Sequence, residues 1–328
     1  MLKILIDKKD GDVWDISSLV ADVSWKTSRI GKAGSLDFTL IKNAPGQDKT
    51  FKYSNGDIVS VQRAEDGAKA FFGYIFSIDG GRDEAVKITC YDQIRYLMSN
   101  DTYVFTNITA SEVVQKIAAD FNLKLGQIDD TGYRIPTMSE NDKKLLDVIC
   151  KALDLTLINS GKNYVFFDDF GSLSVRNVED LLLDFVVGDN SLMTDYVHKL
   201  SIDSDTYNKI KLYKDNKDTG RREVYCAQDS VNMAKWGVLQ LYQSVDEDMN
   251  SAQINELLDT LATLKNRESK TLKIEAIGDL RVRAGSYVRI QIQEYGINQP
   301  FLVDECTHSF DGADHKMSLE LKAIMKVI

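Results

Sequence analysis

Apolar and polar positions alternate with a period of two in several separated stretches, the pattern of strands with one buried face. Leu36, Phe38 and Leu40 alternate in "SLDFTLI" (35–41), Val59 and Val61 in "SNGDIVSVQRA" (54–64), and Ile88 and Cys90 in "KITCYD" (87–92). Far along the chain, Leu272, Ile274 and Ala276 alternate in "TLKIEAI" (271–277), and Val288, Ile290 and Ile292 in "RAGSYVRIQIQ" (283–293). The opening "MLKILIDKKDGDVWD" reads as a first strand, without the longer apolar run or small-residue cleavage site of a leader.

The early and late sets correspond. Adding 229 carries Gly56 to Gly285, Val59 to Val288, Val61 to Ile290, Phe72 to Phe301, Tyr74 to Val303, Ile88 to Met317 and Cys90 to Leu319. An offset of 236 relates 35–41 to 271–277. Turn signals fall alike, "DGGRDE" (79–84) in one set and "FDGADH" (310–315) in the other. Any two hairpins share such alternation, but a constant offset over three strands points to two copies of one small antiparallel barrel or sandwich.

The middle has a different period. "TASEVVQKIAADFNL" (109–123) opens with a capping box, Thr109 with Glu112, and continues at helical spacing through Val113, Ile117 and Phe121. "SENDKKLLDVICKALDL" (139–155) predicts a second helix, with Leu145, Leu146, Ile149 and Leu153 on one face, and "TLINSGKNYVFFDDFGSLSVRN" (156–177) a hairpin. Two strands follow, "HKLSIDSDT" and "NKIKLYKD". Beyond them, 222–269 has no counterpart in the first copy. It holds an extended "KWGVLQLYQSV" (235–245) and a helix, "SAQINELLDTLATLKNRES", with Leu257, Leu258, Leu261 and Leu264 inward.

The expected fold is β-rich α+β: a first β-barrel domain at 1–100, a small α/β domain at 101–190, and a second, similar antiparallel β-barrel at 191–328. The helix-containing insertion at about 222–269 splits this second barrel. With only Pro45, Pro136 and Pro300 and no Ser/Gly-rich run, no flexible linker is expected.

Length and composition agree with this reading. A chain of 328 residues exceeds one typical domain, and 43% hydrophobic with 27% charged residues is ordinary for a globular protein. No run of ~18 apolar residues predicts a membrane span. The net charge of −10 argues against a protein that grips nucleic-acid phosphates. Residues 101–190 carry 15 Asp/Glu against 8 Lys/Arg, so much of the excess lies there. Cys90, Cys150, Cys226 and Cys306 form no C-x-x-C pair; at least three of the four sit inside apolar stretches, and buried, reduced cysteine is the expected state.

Catalytic patterns are missing. "DDFGSL" (168–173) contains Asp-Phe-Gly, but no kinase partner motif accompanies it, and a turn between alternating strands explains it. No phosphate-binding Gly-rich loop or G-x-S-x-G is present. His308, Asp311, Asp314 and His315 gather around one turn, where turn chemistry is favoured over a metal. Fifty acidic residues always permit carboxylate pairs, so these alone indicate no hydrolase. No catalytic residue, metal or cofactor is expected.

Three segments carry a resemblance to a known family. "CYDQIRYLMSNDTYVFTNITASEVVQKIAADFNL" (90–123) resembles the XkdQ/YqbQ family of PBSX-type defective prophages, through Tyr91-Asp92, Tyr96-Leu97, Asn100, Phe105, Thr109-Ala110 and Glu112. "KWGVLQLYQSVDEDMNSAQINELL" (235–258) and "VDECTHSFDGADHKMSLEL" (303–321) are similar to two later stretches of that family. The resemblance implies a baseplate hub protein of contractile phage tails or phage-tail-like particles. Three copies would form a ring that adapts a six-fold tail tube to a three-fold spike, each copy carrying two tube-like barrels.

The implied partners are the chain itself as a homotrimer, the tail tube protein, the spike and other baseplate proteins, and a tape-measure protein. The implied localisation is assembly in the bacterial cytoplasm and incorporation into the tail. No specific nucleic-acid binding is expected, and with the chain ending at Ile328, no appended lysozyme or peptidase domain. Trp236, Gly237, Leu239 and Gln240, which lie in the stretch absent from the first copy, are the candidate interface residues. The alternatives are a receptor- or glycan-binding tail protein, which requires an exposed aromatic-lined patch, and a tail-borne cell-wall hydrolase.

Overall fold

The structure, a computed structural model, describes residues 1–44, 47–216 and 220–322; Pro45 and the chain end at Ile328 lie outside the described residues. The first copy contains β1 (Leu2–Asp7), β2 (Val13–Asp15), β3 (Val20–Ser28), β4 (Ser35–Ile41), β5 (Ile58–Arg63), β6 (Lys69–Gly80) and β7 (Ala85–Tyr91). They hydrogen-bond in the order β3-β4-β7-β6-β5-β1-β2, antiparallel throughout. The alternating residues Leu36, Phe38, Leu40, Val59, Val61, Ile88 and Cys90 turn inward as one buried cluster. Period two fixes which face is apolar, and the core fixes the register.

The middle region runs β8 (Asn100–Thr109), α1 (Ala110–Asp120), β9 (Leu125–Ile128), β10 (Arg134–Lys144), α2 (Leu145–Ser160), β11 (Tyr164–Asp168) and β12 (Leu173–Asn177). The capping box forms as read: Glu112 N donates to Thr109 Oγ1 at 3.2 Å, and Thr109 N to Glu112 Oε2 at 2.9 Å. Val113, Ile117, Leu145, Ile149 and Ala152 pack with Leu173 and Val175 in one core.

The second helix starts six residues later than its pattern suggested. Ser139–Lys144 extend β10 and pair with β8, and buried Glu140 meets Lys151 of α2. The helix also runs past Leu155 to Ser160, where Gly161 at φ +69° ends it. The hairpin expected over 156–177 is therefore the shorter β11–β12 pair.

After β13 (Leu182–Gly188) and β14 (Met193–Ser201) the chain enters a separate compact unit, His198–Thr271. This unit contains β15 (Lys209–Asn216), β16 (Arg221–Gln228), α3 (Ser230–Trp236), β17 (Gln240–Ser244) and α4 (Ser251–Lys265). Its sheet order is β16-β15-β17, and Ile254, Leu258 and Leu261 of α4 pack with Ile210 and Leu212. The unit takes in β15, ahead of the expected stretch at 222–269. The segment 235–245, read as extended, is helical up to Trp236 and strand from Gln240.

The larger unit, Met1–Val197 with the chain from Leu272, holds both copies. The second copy adds β18 (Ser269–Ile277), β19 (Tyr287–Ile292), β20 (Ile297–Asp311) and β21 (Asp314–Lys322). Its order, β14-β18-β21-β20-β19-β13, repeats β3-β4-β7-β6-β5-β1 strand for strand. One difference is orientation: β13 lies parallel to β19, whereas β1 is antiparallel to β5.

The offset of 229 holds for β5 with β19. For β7 with β21 it becomes 231: Gly278 N donates to His315 O while Leu40 faces Val86, so Ile88 corresponds to Leu319 and Cys90 to Leu321, all of them buried. The offset of 229 also fails for β6 with β20. Val59 faces Gly73 and Val288 faces Phe301, so Phe301 corresponds to Gly73, not to Phe72. Likewise Ile75 and Val303 bond to the matching turns at Gly56 and Gly285. A one-residue slip reverses the face. Phe72 accordingly points away from the core and packs against Phe170, while the Phe71 ring fills the space beside Gly73.

Strand dominates the fold, and β3 joins β20, so both copies belong to one 13-stranded sheet. Among the described residues that sheet is an open path, and neither copy closes into a barrel by strand pairing.

Candidate functional site

The seam between the copies is built on β20. One edge of this strand pairs with β21 along much of its length. Its other edge first pairs with β19, through residues 297–302, and then with β3, from Glu305↔Ser28 to Phe310↔Val23. A bulge at Asp304 separates the two partners. Arg29, just past β3, donates from its backbone N to Asp304 O at 2.9 Å and from Nε to Asp304 Oδ1 at 2.7 Å. Lys322 Nζ lies 2.7 Å from Asp304 Oδ2. Burial alone would raise this carboxyl, but the charges of Arg29 and Lys322 outweigh it and hold the group below the usual carboxylate range. Ala284 N donates to Thr27 Oγ1 at 2.9 Å, a further tie across the seam.

At the centre of the seam the fully buried His308 stacks on Trp25, ring centroids 4.9 Å apart. His308 Nε2 lies 2.8 Å from the Val282 carbonyl, an acceptor, so Nε2 carries the proton. Its Nδ1 must then accept from His315 Nε2 at 2.9 Å. Burial pushes both histidines down to about 4. Cys306 Sγ is 3.2 Å from His308 Nε2, but burial pushes the thiol up, and a buried thiol beside a neutral imidazole is a packing contact rather than a nucleophile. Asp311 and Asp314 pair with each other across the turn. Among the described residues no group of three or more His, Cys, Asp and Glu is placed to hold a metal ion.

A second node ties three regions of the larger unit. Asp92, after β7, accepts from Gly34 N and Ile94 N, both at 3.0 Å. Asp168, at the end of β11, accepts from Gly171 N at 2.6 Å and thereby shapes the Asp-Phe-Gly turn. Arg283, ahead of β19, donates to the Asp168 carbonyl at 2.6 Å and lies 4.2 Å from the Phe167 ring centroid. Burial raises both carboxyls, reinforced at Asp92 by the nearby Asp168 charge, while burial lowers Arg283. Both carboxylates bind main-chain N–H groups, which makes this node a structural tie.

Two of the open strand edges have counterparts in the repeat that are paired. The edge of β6 that pairs with β5 has no strand partner over 76–80 among the described residues, although the matching edge of β20 is occupied by β3. β14 pairs only with β18 among the described residues, although its counterpart β3 has two neighbours. On β14, Val197 is 59% exposed.

The four candidate interface residues lie in the smaller unit. Trp236 ends α3, half-buried, with Lys235 Nζ 5.1 Å from its ring centroid. Gly237 caps that helix at φ +78°, and its carbonyl accepts from Asn208 Nδ2 at 2.7 Å. Leu239 N donates to Asn208 Oδ1 at 2.9 Å, and exposed Gln240 opens β17 opposite Lys209. Asn208 therefore organises the segment, and nothing in the sequence pattern marked it. The seam residues Arg29, Trp25 and Asp304 also escaped the sequence reading, because β3 and β20 are distant in the chain. In the larger unit, a groove of about 830 Å³ runs between β6 and the middle region, lined by Phe72, Tyr74, Tyr96 and Phe170 with Lys9 and Lys69. No helix among the described residues is long and apolar enough to cross a membrane.

Comparison with known proteins places this arrangement. A family model described as YQBQ-like matches residues 23–322. The protein YqbQ of Bacillus subtilis (strain 168) is 33% identical over 281 residues, 84% of each chain. The phage-like element PBSX protein XkdQ of the same organism is 32% identical over 309 residues, 92% of each chain. In fold, the chain is similar to the 43 kDa tail protein of prophage MuSo2 from Shewanella oneidensis, with a TM-score of 0.69 at 13% identity over 97% of this chain and 98% of that one.

Proposed function

The chain belongs to the YQBQ-like family, and on that premise we propose that it is a structural, non-enzymatic baseplate hub of a phage tail or phage-tail-like particle. Three copies close a ring that meets a six-fold tail tube on one side and a three-fold spike on the other. The observation that carries this reading is the repeated strand order, β3-β4-β7-β6-β5-β1 and β14-β18-β21-β20-β19-β13, within one sheet. Two like sets of strands per chain give a trimer six similar positions, while the ring keeps true three-fold symmetry. Each set has its own buried core, and each is proposed to take the place of one tube-like barrel. The proposed partners are the tube protein, the spike and a tape-measure protein, with assembly in the bacterial cytoplasm. Trp236, Gly237, Leu239 and Gln240 are proposed to touch a baseplate neighbour.

Light scattering of the purified 36.9 kDa chain, alone and with the candidate spike, tests the ring. The expected mass is three chains. A monomer under both conditions overturns it. A second reading, glycan binding, is favoured by the aromatic groove beside Phe72 and Phe170. Calorimetry with soluble cell-wall polysaccharide decides it, and no heat of binding eliminates it.

A further inference from the structure

The repeat has one internal junction and two unmatched ends. Within the chain, β3 of the first copy docks on β20 of the second. The counterpart of β3 is β14, and the counterpart of the docking half of β20 is residues 76–80 of β6. Neither of these edges has a strand partner among the described residues. A strand edge with unpaired N–H and C=O groups is a template for another chain unless it is blocked. Here a chain carries both halves of a joint that it already makes once. The occupant that fits both is a second copy of the same chain.

We propose that β14 of one copy pairs antiparallel with the open edge of β6 in the next, reproducing between chains the seam that β20 and β3 make within one. This deepens the hub reading and rests on it, since repetition of the joint around three copies closes the ring.

The register follows from the internal repeat. Ile277 N donates to Leu192 O. With β4 and β18 related by 236, and Val20 facing Leu40, that bond sets β14 against β3 at an offset of 173. The bulge in β3 between Ala21 and Ser24 is matched in burial, Val20 and Val23 turning inward as Met193 and Tyr196 do, so Ser24 corresponds to Val197 and Lys26 to Lys199. On the other side, β6 and β20 bulge at matching places, Phe76 and Asp304, so the offset of 228 set by Ile75 and Val303 continues and makes Asp79 the counterpart of Thr307. The seam pair Lys26↔Thr307 then translates into Lys199↔Asp79.

The side chains suit this translation. Lys26 with Thr307 becomes Lys199 with Asp79, an exposed cross-strand pair of opposite charge. A Cβ built on neighbouring Gly81 meets nothing within 4 Å, leaving room for an incoming strand. Val197, 59% exposed in the single chain, would gain a cross-strand neighbour. The between-chain joint also lacks counterparts of Trp25 stacked on His308, as expected of a contact that must form after folding rather than during it.

Disulfide trapping tests the register directly. In a Cys226→Ser background, the pair Ser24→Cys with Ser309→Cys is the control and is expected to give a monomer with an internal bridge. The pair Asp79→Cys with Lys199→Cys is expected to give covalent species of two and three chains on mild oxidation. If the control bridges while the second pair stays monomeric, the edge pairing is wrong, even if light scattering still reports a trimer. Ladders running past three chains would uphold the pairing and overturn three-fold closure. As a second variant, Lys199→Asp sets a like charge opposite Asp79 and is expected to weaken association about tenfold, with the folded monomer retained because the position is exposed. Association unchanged by Lys199→Asp also refutes the pairing.

Discussion

Protonation of His308 should unlock the seam, and the size of the effect can be worked from its surroundings. In the unfolded chain an imidazole titrates near 6.5; in the fold burial pushes His308 down to about 4. Between these values the unfolded chain binds the extra proton and the native one does not, so stability falls as pH falls. At pH 7.5 both states are neutral and the penalty vanishes. At pH 5 the unfolded imidazole is nearly all protonated while the folded one is neutral, which costs about 2 kcal/mol.

The geometry agrees on the site of protonation. Nε2 already donates to Val282 O, so a new proton goes to Nδ1 and turns the bond from His315 into two opposed donors. Asp92 and Asp168 work in the opposite sense. Their folded-state pKa values are raised, so their burial penalises the fold as pH rises above the usual carboxylate range and is relieved by acid. The comparison must therefore be between wild type and His308→Gln, which share those carboxylates. Urea unfolding at pH 7.5, 6 and 5, followed by the fluorescence of Trp25 with Trp14 and Trp236 replaced by Phe, gives the difference. The wild type is expected to lose about 2 kcal/mol more than the variant between pH 7.5 and 5. Equal losses in the two proteins would sink the argument.

Two other substitutions probe the rest of the larger unit. Arg283→Met leaves Asp92 and Asp168 buried without their cation and is expected to cost about 3–5 kcal/mol at pH 8, and less as the pH falls, because both carboxyls are raised and their protonation removes the uncompensated charge; a penalty independent of pH in urea titrations contradicts this. Gly73→Ala drives a Cβ into the Tyr91 carbonyl oxygen and the Phe71 ring, so thermal unfolding should report a loss of about 1–3 kcal/mol or more, and an unchanged midpoint would mean that β6 and β7 lie further apart.

The repeat was legible because alternation survives divergence: Leu36, Phe38 and Leu40 and their counterparts Leu272, Ile274 and Ala276 are all buried. The register of β6 with β20 was not. "AFFGYIF" (70–76) is apolar on both faces, so period two cannot choose between Phe72 and Gly73 as the inward residue. The bulge at Asp304 was hidden for a related reason. β6 carries its own bulge at Phe76, so the offset between β6 and β20 stays at 228 on both sides, and comparing the two stretches reveals no insertion.

The start of α2 was misplaced because Ser139–Lys144 are polar in either conformation, and only pairing with β8 decides. Its end was written in Gly161, whose left-handed conformation few other residues adopt readily. The seam and the Asp92–Asp168–Arg283 node unite residues that no local window contains. A chain with fifty acidic residues gives no sign of which two will be buried together.

The distance along the chain between the two sides of the seam also has a consequence for synthesis. Arg29 and Asp304 stand 275 positions apart. At about 5–20 residues per second, β3 leaves the ribosome roughly 15–55 s before β20. For that interval its outer edge is open in a half-made protein, next to other nascent chains carrying the same strand. The chain therefore has to be kept from capturing a finished β20 of a sibling, an exchange that would produce swapped dimers in place of the cis seam. Crowded polysomes should favour that error, and slow expression should suppress it.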